Sequence, residues 1–389
     1  MKQDWEIKDF EDCIEKIVYT NKIQRKDFLE NGKYPIVSQE QDFINGYWNN
    51  SDDLFEVKKP IVIFGDHTQV LKYVDFDFVL GADGVKILQP KKEIEPRFFY
   101  YYLQKINLGS LGYARHYRLL KEIEIHYPKS LPLQKRIVAV LDEAFTAIAR
   151  AKANAEQNLR NAKEFFESYL ESAFANKGDG WGEKRIQDIA KVVNGYSFDS
   201  KDFSSKNSIK SVKITNVGVK EFIEETDNYL PGKFKDTLQE FQVKIGNIVI
   251  ALTRTIIAAG LKVAVVPKSY DGALLNQRVA ALIPNDKLIN QRFLYNFLCT
   301  DTVAKYVMAN VNTLMQPNLS INDLKNLLVP CPPISEQQTI VQKLDALSAE
   351  TKKLEVIYKQ KLNDLEELKK SILQKAFSGE LKTIEAATV

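Results

Sequence analysis

The pattern of apolar and polar positions divides the chain into two kinds of segment, each of which occurs twice. In residues 131–177 and 334–380, apolar residues recur every three or four positions, which is the period of a helix with one buried stripe. In residues 1–130 and 178–333, short apolar runs alternate with polar turns, as in β-strands. The pattern therefore predicts the order mixed, helical, mixed, helical, followed by a short tail at 381–389.

The two helical segments are copies of each other. They align without a gap at a spacing of 203 residues, and the identical pairs include Gln134/Gln337, Leu141/Leu344, Asp142/Asp345 and Phe174/Phe377. The mixed segments resemble each other more faintly, at Trp5 and Trp181 and in the aromatic runs that begin at Arg97 and Arg292. A repeat spaced by about half the chain indicates two copies of one unit, related by a pseudo-two-fold axis.

The apolar spacing within each helical segment alternates between three and four residues, which is typical of a coiled-coil seam. One stripe is rich in alanine and the other in leucine, so we expect the two helices to pack against each other. A compact second mixed segment joins the end of the first helix to the start of the second, which predicts an antiparallel pair. The predicted seam consists of Ile137, Leu141, Ala144, Ile148, Ala151, Ala155, Ala162, Phe165 and Tyr169, and of Ile340, Leu344, Leu347, Thr351, Leu354, Tyr358, Leu365, Leu368 and Ile372.

A second apolar stripe runs along the first helix, at positions that a two-stranded coil leaves partly exposed. An apolar face wider than one partner can cover is typical of a site that binds further helices. Shielding by the mixed segments, or by self-association, is the alternative that the sequence leaves open. The predicted partner-binding residues are Val138, Phe145, Leu159, Phe166, Leu170, Leu362 and Leu373.

The mixed segments predict globular domains of the α+β class. Apolar runs predict strands at 34–37, 61–64, 78–80, 212–214, 248–250, 263–266 and 279–283. A helix-like aromatic run surrounds Tyr100 in the first domain and Tyr295 in the second. We therefore predict two globular domains, 1–130 and 178–333, separated by two long helices that form an antiparallel coiled coil.

Length and composition restrict the class of protein without identifying a function. A chain of 389 residues is long enough for two domains with complete cores, and its formal net charge is only +3. The three cysteines lie far apart in sequence, which favours a reducing compartment. Since the first 20 residues are charged and no long uncharged run follows, we expect a cytoplasmic protein without a membrane segment.

The known signatures of catalysis are missing from the sequence. The pair Pro332-Pro333 lacks the flanking Asn or Asp and the aromatic residue of an amino-methyltransferase loop. The glycine cluster at 178–182 follows a helix instead of a strand, so it is a linker and not a cofactor loop. Asp53 and Glu56 imitate a nuclease metal site only loosely, and the three histidines have no metal-ligand spacing. We expect no catalytic residue, metal or cofactor in this chain.

Four motifs are similar to those of the specificity subunits of type I restriction-modification systems. They are VIFGDHT at 62–68, GADGVK at 81–86, GYARHY at 112–117 and PPISEQ at 332–337, and the resemblance covers essentially the whole chain. It implies two target-recognition domains that each read one half of a bipartite sequence in double-stranded DNA, and helical regions that set the gap between the halves. It also implies that two methyltransferase subunits dock on the helices and that restriction subunits join this core.

Polar residues in turns after the predicted strands are the natural candidates for DNA contacts. Arg, Lys, Asn and Gln read base edges, and hydroxyl groups and further basic side chains bind phosphates. In the first domain the candidates are Lys33, Ser38, Gln39, His67, Thr68, Tyr113, Arg115, His116 and Arg118. In the second they are Lys213, Asn216, Thr253, Arg254, Thr255, Asn276, Gln277, Arg278, Gln316 and Asn318.

A coiled-coil adaptor with two protein-binding end domains is the alternative function. Both functions use the same helices, and they differ in what the two globular domains bind. A gel shift with the purified complex and genomic fragments distinguishes them, because only the DNA-reading protein retards particular fragments.

Overall fold

The computed structural model describes residues 4–82, 84–109, 112, 114–225, 229–258, 260–310, 318–378 and 380. The chain forms two compact units, of which unit 1 consists of residues 1–157 and 358–389 and unit 2 of residues 158–357. Each long helix therefore contributes one part to each unit. Of the predicted sites and segments, Tyr113, Gln316 and the tail at 381–389 lie outside the described residues.

The first mixed segment contains ten strands and two short helices among its described residues, and a long helix follows it. The elements are β1 (Trp5–Asp9), β2 (Lys22–Ile23), β3 (Tyr34–Val37), β4 (Gly46–Trp48), β5 (Leu54–Phe55), β6 (Ile61–Gly65), β7 (Leu71–Val74), β8 (Phe78–Gly81), β9 (Val85–Leu88), α1 (Pro96–Lys105), α2 (Tyr117–Leu120), β10 (Glu124–Pro128) and the long helix α3 (Leu131–Ala175).

The second mixed segment repeats this order with insertions. The elements are β11 (Gly182–Arg185), α4 (Ile186–Ile189), β12 (Ala190–Asn194), β13 (Ile209–Val212), β14 (Tyr229–Leu230), α5 (Phe234–Thr237), β15 (Ile248–Ala251), β16 (Ile256–Ile257), β17 (Gly260–Leu261), β18 (Val263–Val265), β19 (Leu274–Leu275), β20 (Val279–Pro284), α6 (Gln291–Leu298), α7 (Asp301–Asn310), α8 (Ile321–Asn326), β21 (Leu328–Cys331) and the long helix α9 (Ile334–Ser378).

The predicted strands are present, with one correction. The strand predicted at 212–214 ends at Val212, and Ile214–Asn216 form a 3-10 turn. The turn is stabilised because the backbone N–H of Lys213 donates to Oδ1 of Asn216 at 2.8 Å. A short amide side chain that accepts from a backbone N–H three residues earlier competes with strand pairing, and this local bond favours the turn over a longer strand.

The main sheets of the two units share three strands in the same order. In unit 1 an antiparallel sheet has the order β7-β6-β9, and in unit 2 the matching order is β18-β15-β20, with β12 added beside β20. A second sheet contains parallel pairs in both units: β8 pairs with β2 and with β3 in unit 1, and β13 pairs with β19 in unit 2. The structure thus contains two copies of one α+β fold, as the repeat predicts.

The central strand of each unit is buried on both faces. In β6, Val62 and Phe64 belong to a core with the aromatic helix α1, whereas Ile61 and Ile63 face the second sheet. In β15, Ile248 and Ile250 likewise face α6. Since successive side chains of a strand point to opposite faces, a continuous apolar run is what such a position requires.

The long helices pack antiparallel in both units. In unit 1, Ile137 and Leu141 near the start of α3 share a core with Leu373 and Phe377 near the end of α9. In unit 2, Leu170 and Phe174 near the end of α3 share a core with Val341 and Leu344 near the start of α9. In each unit the start of one helix thus lies beside the end of the other, as predicted from chain order.

The predicted seam is wrong at several positions. The side chains of Phe165, Leu354 and Leu368 are 62%, 40% and 47% exposed. By contrast Val138 and Leu373, placed outside the seam, are buried in the same core as Phe98 of α1. In each unit the aromatic helix also packs on the two long helices. The residues buried on the long helices are therefore not the same ones that an isolated two-stranded coil would bury.

Each aromatic helix is held by a phenylalanine from the end of a long helix. In unit 1 the ring of Phe377 packs edge-on against Phe98 and Tyr102, at centroid distances of 5.1 and 5.2 Å. In unit 2 the ring of Phe174 lies 5.0 Å from Phe293 and 5.4 Å from Phe297. Tilted and edge-on aromatic pairs add stability beyond the area that they bury.

A buried glutamine joins the start of each long helix to the aromatic helix of its unit. Oε1 of Gln134 accepts from the backbone N–H of Glu95 at 2.7 Å. Its Nε2 donates to the carbonyls of Pro128 at 2.7 Å and Glu93 at 2.9 Å. A fully buried amide is stable only when its donors and acceptor are paired, and here they are.

Gln337 makes the same three kinds of bond in unit 2. Its Oε1 accepts from the N–H of Asn290 at 2.7 Å, and its Nε2 donates to the carbonyls of Pro332 and Leu288 at 2.8 and 3.3 Å. Glu95 and Asn290 are the N-cap residues of α1 and α6. The repeated glutamine therefore fixes where each aromatic helix begins.

Candidate nucleic-acid interface

One edge of the main sheet in unit 2 collects most of the candidates from that domain. Strand β15 ends at Ala251, directly opposite Val279 at the start of β20, so the turns beyond these residues lie side by side. The N–H of Leu252 donates to the carbonyl of Arg278 at 2.8 Å, and the N–H of Ala251 donates to that of Lys262 at 3.1 Å. Three adjacent strands thus place 252–254, 276–278 and Lys262 at one edge.

Two further segments join this edge through backbone bonds. The N–H of Asn276 donates to the carbonyl of Val212 at 3.0 Å, which places Lys213 beside it. The N–H of Leu319 donates to the carbonyl of Leu252 at 2.9 Å, and Thr253 forms a bridge with Asn318. The edge defined by these contacts is called the unit 2 edge. The candidates on it are Lys213, Thr253, Arg254, Asn276, Gln277, Arg278 and Asn318.

The side chains of Arg254, Gln277, Arg278 and Asn318 are exposed at the unit 2 edge. Arg254 occupies the left-handed region with a φ of +48°, which is uncommon for a residue other than glycine. Burial lowers the pKa of the Lys262 ammonium group, and the positive charge of Arg254 lowers it further. The ammonium of Lys262 donates to the carbonyl of Ile214 at 2.8 Å. Two cationic side chains at one edge favour the binding of anions such as phosphates.

Two candidates from this domain are buried instead. Nδ2 of Asn216 donates to the carbonyl of Ile223 at 2.8 Å and to the hydroxyl of Tyr270 at 3.3 Å. Thr255 has no exposed surface, and its carbonyl accepts from the N–H of Lys262 at 2.8 Å. Both residues shape the turns that carry the exposed side chains, and neither presents a surface to a ligand.

In unit 1 the matching edge lies where β3, β6 and β8 end. The hydroxyl of Thr68 donates to the carbonyl of Gln39 at 2.6 Å. Oε1 of Gln39 accepts from the N–H of His67 at 3.1 Å. Gly84 has a φ of +72°, a conformation that favours glycine, and a Cβ there would also displace the side chain of Gln39. The edge defined by these contacts is called the unit 1 edge.

Asp66 joins the loop before α2 to the unit 1 edge. Its backbone carbonyl accepts from the N–H of His116 at 2.7 Å, and its carboxylate accepts from the N–H of Tyr117 at 2.7 Å. The exposed side chain of Arg115 is therefore held beside Gln39, His67 and Thr68, although the motifs lie far apart in sequence.

Four candidates from the first domain lie elsewhere or are buried. The hydroxyl of Ser38 accepts from the N–H of Glu40, and both Ser38 and His116 are buried. Lys33 precedes β3, so it lies at the opposite end of that strand from the unit 1 edge. Arg118 is exposed on α2. The sequence did not predict that the loop after Gln39 is anchored by a buried lysine.

That lysine is Lys72 on β7. Its ammonium donates to the carbonyl of Asp42, to the carbonyl of Phe43 at 3.4 Å and to Oδ1 of Asn45 at 3.1 Å. Burial lowers the pKa of Lys72 to about 8. Three acceptors around one buried ammonium fix the loop 42–45 against the sheet.

Sequence reasoning also missed Tyr196, Ile257 and Lys262 at the unit 2 edge. The N–H of Tyr196 donates to the carbonyl of Leu275 at 2.8 Å, and its ring is 39% exposed. Ile257 belongs to a small hairpin, β16 with β17, that begins two residues after Arg254. A search limited to polar residues in turns after longer strands could not find the apolar Ile257 or the aromatic Tyr196, and it passed over Lys262, which lies between the short strand β17 and β18.

The predicted partner-binding stripe needs correction. Val138, Leu170 and Leu373 are buried in the cores of their own units, so the alternative of shielding by the mixed segments is right for them. Phe145, Leu159, Phe166 and Leu362 are half-buried. Among the apolar residues of α3 and α9, Phe165, Leu354, Val356, Ile357 and Leu368 are at least 40% exposed.

The described residues contain no group of His, Cys, Asp and Glu arranged to hold a metal. Asp53 is buried and accepts from Nδ2 of Asn21 and Nε1 of Trp48, both at 2.8 Å. These hydrogen bonds lower the pKa of the Asp53 carboxyl group, with that of Asn21 contributing most. Its role is structural. Within the same described part of the chain, no helix is long and apolar enough to cross a membrane.

Comparison with known proteins gives one consistent result. The family model for the type I restriction modification DNA specificity domain matches residues 2–158 and 178–367. The MjaVIII type I specificity subunit of Methanocaldococcus jannaschii is 23% identical over 98% of this chain and 93% of its own length. The EcoR124I/EcoR124II specificity subunit of Escherichia coli is 25% identical over 83% of this chain and 81% of its own.

Two solved structures share the fold. A chain from a structure of type I restriction-modification complex assembly matches with a TM-score of 0.72 at 16% identity, over 97% of this chain and 99% of that one. The HsdS subunit from Thermoanaerobacter tengcongensis matches with a TM-score of 0.56 at 16% identity, over 98% of both chains.

Proposed function

Because this chain belongs to the type I restriction modification DNA specificity family, we propose that it is the sequence-reading, non-catalytic subunit of such a complex. Each unit reads one half of a bipartite target in double-stranded DNA through its own edge. The alternative, an adaptor with two protein-binding domains, is not favoured by this family membership. A subunit of this kind works on DNA in the cytoplasm, together with methyltransferase and restriction subunits.

The observation that supports the proposal is that each unit has a polar edge at the same place in its fold. Both units gather polar turns at the same end of the same central strand, β6 or β15. The unit 1 edge presents Gln39, His67, Thr68 and Arg115, and the unit 2 edge presents Arg254, Gln277, Arg278 and Asn318. Arg, Asn and Gln side chains can make the paired hydrogen bonds that distinguish bases in the major groove.

Two methyltransferase subunits are proposed to dock on the long helices. The exposed apolar residues Phe165, Leu354, Val356 and Ile357 are available in unit 2, together with the half-buried Leu159 and Phe166. Leu368, Phe145 and Leu362 offer a smaller surface in unit 1. Apolar surface at these positions suits helices of a partner.

Methylome sequencing tests this function. A host that carries the chain with its methyltransferase subunits should show one methylated motif made of two specific halves and a non-specific gap. A host with the methyltransferase subunits alone is the control and should lack that motif. If adding the chain creates no new methylated motif, the chain does not direct methylation to a DNA sequence.

Replacing Arg254 by Ala should relax one base position in one half of the motif and leave the other half unchanged. An Arg that makes paired bonds to a base contributes about 1 to 3 kcal/mol of discrimination. The measurement is the methylated motif of the variant and its affinity for matched and mismatched DNA. Arg185→Ala is the matched control, because Arg185 is an exposed arginine on β11, away from the unit 2 edge. Equal weakening on all sequences would instead identify Arg254 as a phosphate contact.

The helices are proposed to set the gap between the half-sites. Inserting seven residues after Ala155 and seven after Tyr358 lengthens both helices by about 10 Å, or roughly 3 base pairs of DNA. Those base pairs also rotate one half-site by about 100° around the duplex. The variant should therefore prefer a longer gap with reduced affinity, or lose specific binding. An unchanged gap at full affinity would show that the helices do not set the spacing.

A further inference from the structure

Unit 2 contains a cavity of about 380 Å³ beside its aromatic helix α6. Phe166 and Leu170 of α3 and Leu344 of α9 provide apolar walls. Asn296 of α6 and Ser348 of α9 add polar atoms to the lining, which also includes the charged residues Lys220, Glu221, Arg292, Asp345 and Lys352. All the lining residues belong to unit 2.

The matching space in unit 1 is occupied by two aromatic side chains. Tyr101 of α1 and Phe145 of α3 pack edge-on there, with ring centroids 5.2 Å apart. The hydroxyl of Tyr101 donates to Oδ1 of Asp142, and the guanidinium of Arg97 forms an ion pair with the same oxygen at 3.1 Å. A phenol and a phenyl ring therefore complete the packing between α1 and α3.

The repeat identifies the residues that replace these two rings in unit 2. Asn296 follows Arg292 by four residues, as Tyr101 follows Arg97, and Ser348 lies 203 residues after Phe145. Both rings are thus replaced by small polar side chains.

The surroundings of the two lost rings are kept in unit 2. Asp345 occupies the position of Asp142 and pairs with Arg292, as Asp142 does with Arg97. Leu170 and Leu344 match Leu373 and Leu141 of unit 1. Unit 2 therefore keeps the walls and the carboxylate of an aromatic site without the side chains that fill it.

A buried donor in this cavity has no partner. The side chain of Asn296 is only 9% exposed, and its Nδ2 has no hydrogen-bond partner among the described residues. Leaving a buried donor unpaired is costly, so such groups in folded proteins usually have a partner. The cavity, the carboxylate and the unpaired amide together point to a ligand.

We propose that this cavity binds a phenolic group. Its ring occupies the space between Phe166, Leu170 and Leu344, and its hydroxyl accepts from Nδ2 of Asn296 and donates to the carboxylate of Asp345. The ligand thus supplies what Tyr101 supplies in unit 1. Benzene fits a cavity of about 150 Å³, so this space is large enough for a substituted ring, and its polar lining suits a ring that carries a hydroxyl. Two sources share this chemistry, a small free phenol and a tyrosine side chain of a partner chain.

The test is a titration of the full chain with p-cresol, followed by NMR of the methyl groups of Leu170 and Leu344. Saturable shifts of these signals are expected. Toluene, which lacks the hydroxyl, should bind at least about tenfold more weakly, because it leaves the polar groups of the cavity unpaired. Absence of saturable shifts with p-cresol, or equal binding of toluene, would overturn the proposal.

Two variants that copy unit 1 provide the control. The double substitution Asn296→Tyr and Ser348→Phe should fill the cavity, raise the melting temperature and abolish p-cresol binding. Ser348→Phe alone is the milder variant, for which we expect weaker binding in a folded chain. Undiminished p-cresol binding in a folded filled variant would place the ligand elsewhere and contradict the assignment.

The two sources are distinguished with the methyltransferase subunits. If a tyrosine of a partner enters the cavity, those subunits displace p-cresol, and the filled variant binds them more weakly. If the ligand is a free phenol, p-cresol remains bound in the complex and assembly is unaffected. Both outcomes retain the phenol site, and neither depends on whether the chain reads DNA.

Discussion

Replacing Phe377 by Ala should destabilise unit 1 by about 3 to 5 kcal/mol, which is the usual cost of removing a buried phenylalanine ring. Phe377 is the residue of α9 that packs against both Phe98 and Tyr102 of α1. Its loss leaves a cavity between these elements that the surrounding side chains cannot fill without moving. Denaturant unfolding, with hydrogen exchange of amides in each unit, measures the effect.

The repeat supplies the controls for this prediction. Phe174→Ala should have the same effect on unit 2, because Phe174 packs against Phe293 and Phe297 in the same way. Phe165→Ala removes the same side chain from an exposed position of α3, and it should change stability by no more than about 0.5 kcal/mol. Equal costs for Phe165 and Phe377 would contradict the described packing.

Replacing Gln337 by Leu should destabilise unit 2 by about 3 kcal/mol. Leucine has nearly the same size, but it leaves the N–H of Asn290 and the carbonyls of Pro332 and Leu288 without the amide. Each buried group left unpaired costs about 1–3 kcal/mol. The free energy of unfolding, again resolved by unit through hydrogen exchange, is the measurement.

The neighbouring glutamine is the matched control for this variant. Gln338 is exposed on the first turns of α9, so Gln338→Leu should have little effect. Gln134→Leu should repeat the result of Gln337→Leu in unit 1. A Gln337→Leu variant as stable as the control would show that these hydrogen bonds do not hold α6 to α9.

The elements of the fold could be predicted from the sequence because their signals are local. Strands β6 and β15 are both apolar runs in the sequence, because each strand is buried on both of its faces. The long helices follow from spacing that persists over many turns. The buried faces of those helices could not be predicted as well, because α1 and α6 pack on them. A heptad pattern contains no information on a third helix.

The candidate sites could also be predicted only in part, because they depend on contacts between residues far apart in the sequence. The repeat marked Gln134 and Gln337 as a pair, but only the structure shows which backbone groups they bind. Ser38 and His116 belong to the right turns, yet burial removes them from the unit 1 edge. The cavity beside Asn296 depends on which residues meet across α3, α6 and α9, and no local pattern gives that information.

The most direct test of the account is an exchange of one recognition domain. Residues 178–333 are replaced by the corresponding segment of a relative that has a different target, and the methylated motif is sequenced in a host with the methyltransferase subunits. The account predicts that one half of the motif changes to that of the relative, while the other half stays the same. A change in both halves, or in neither, would contradict the claim that each unit reads its own half-site.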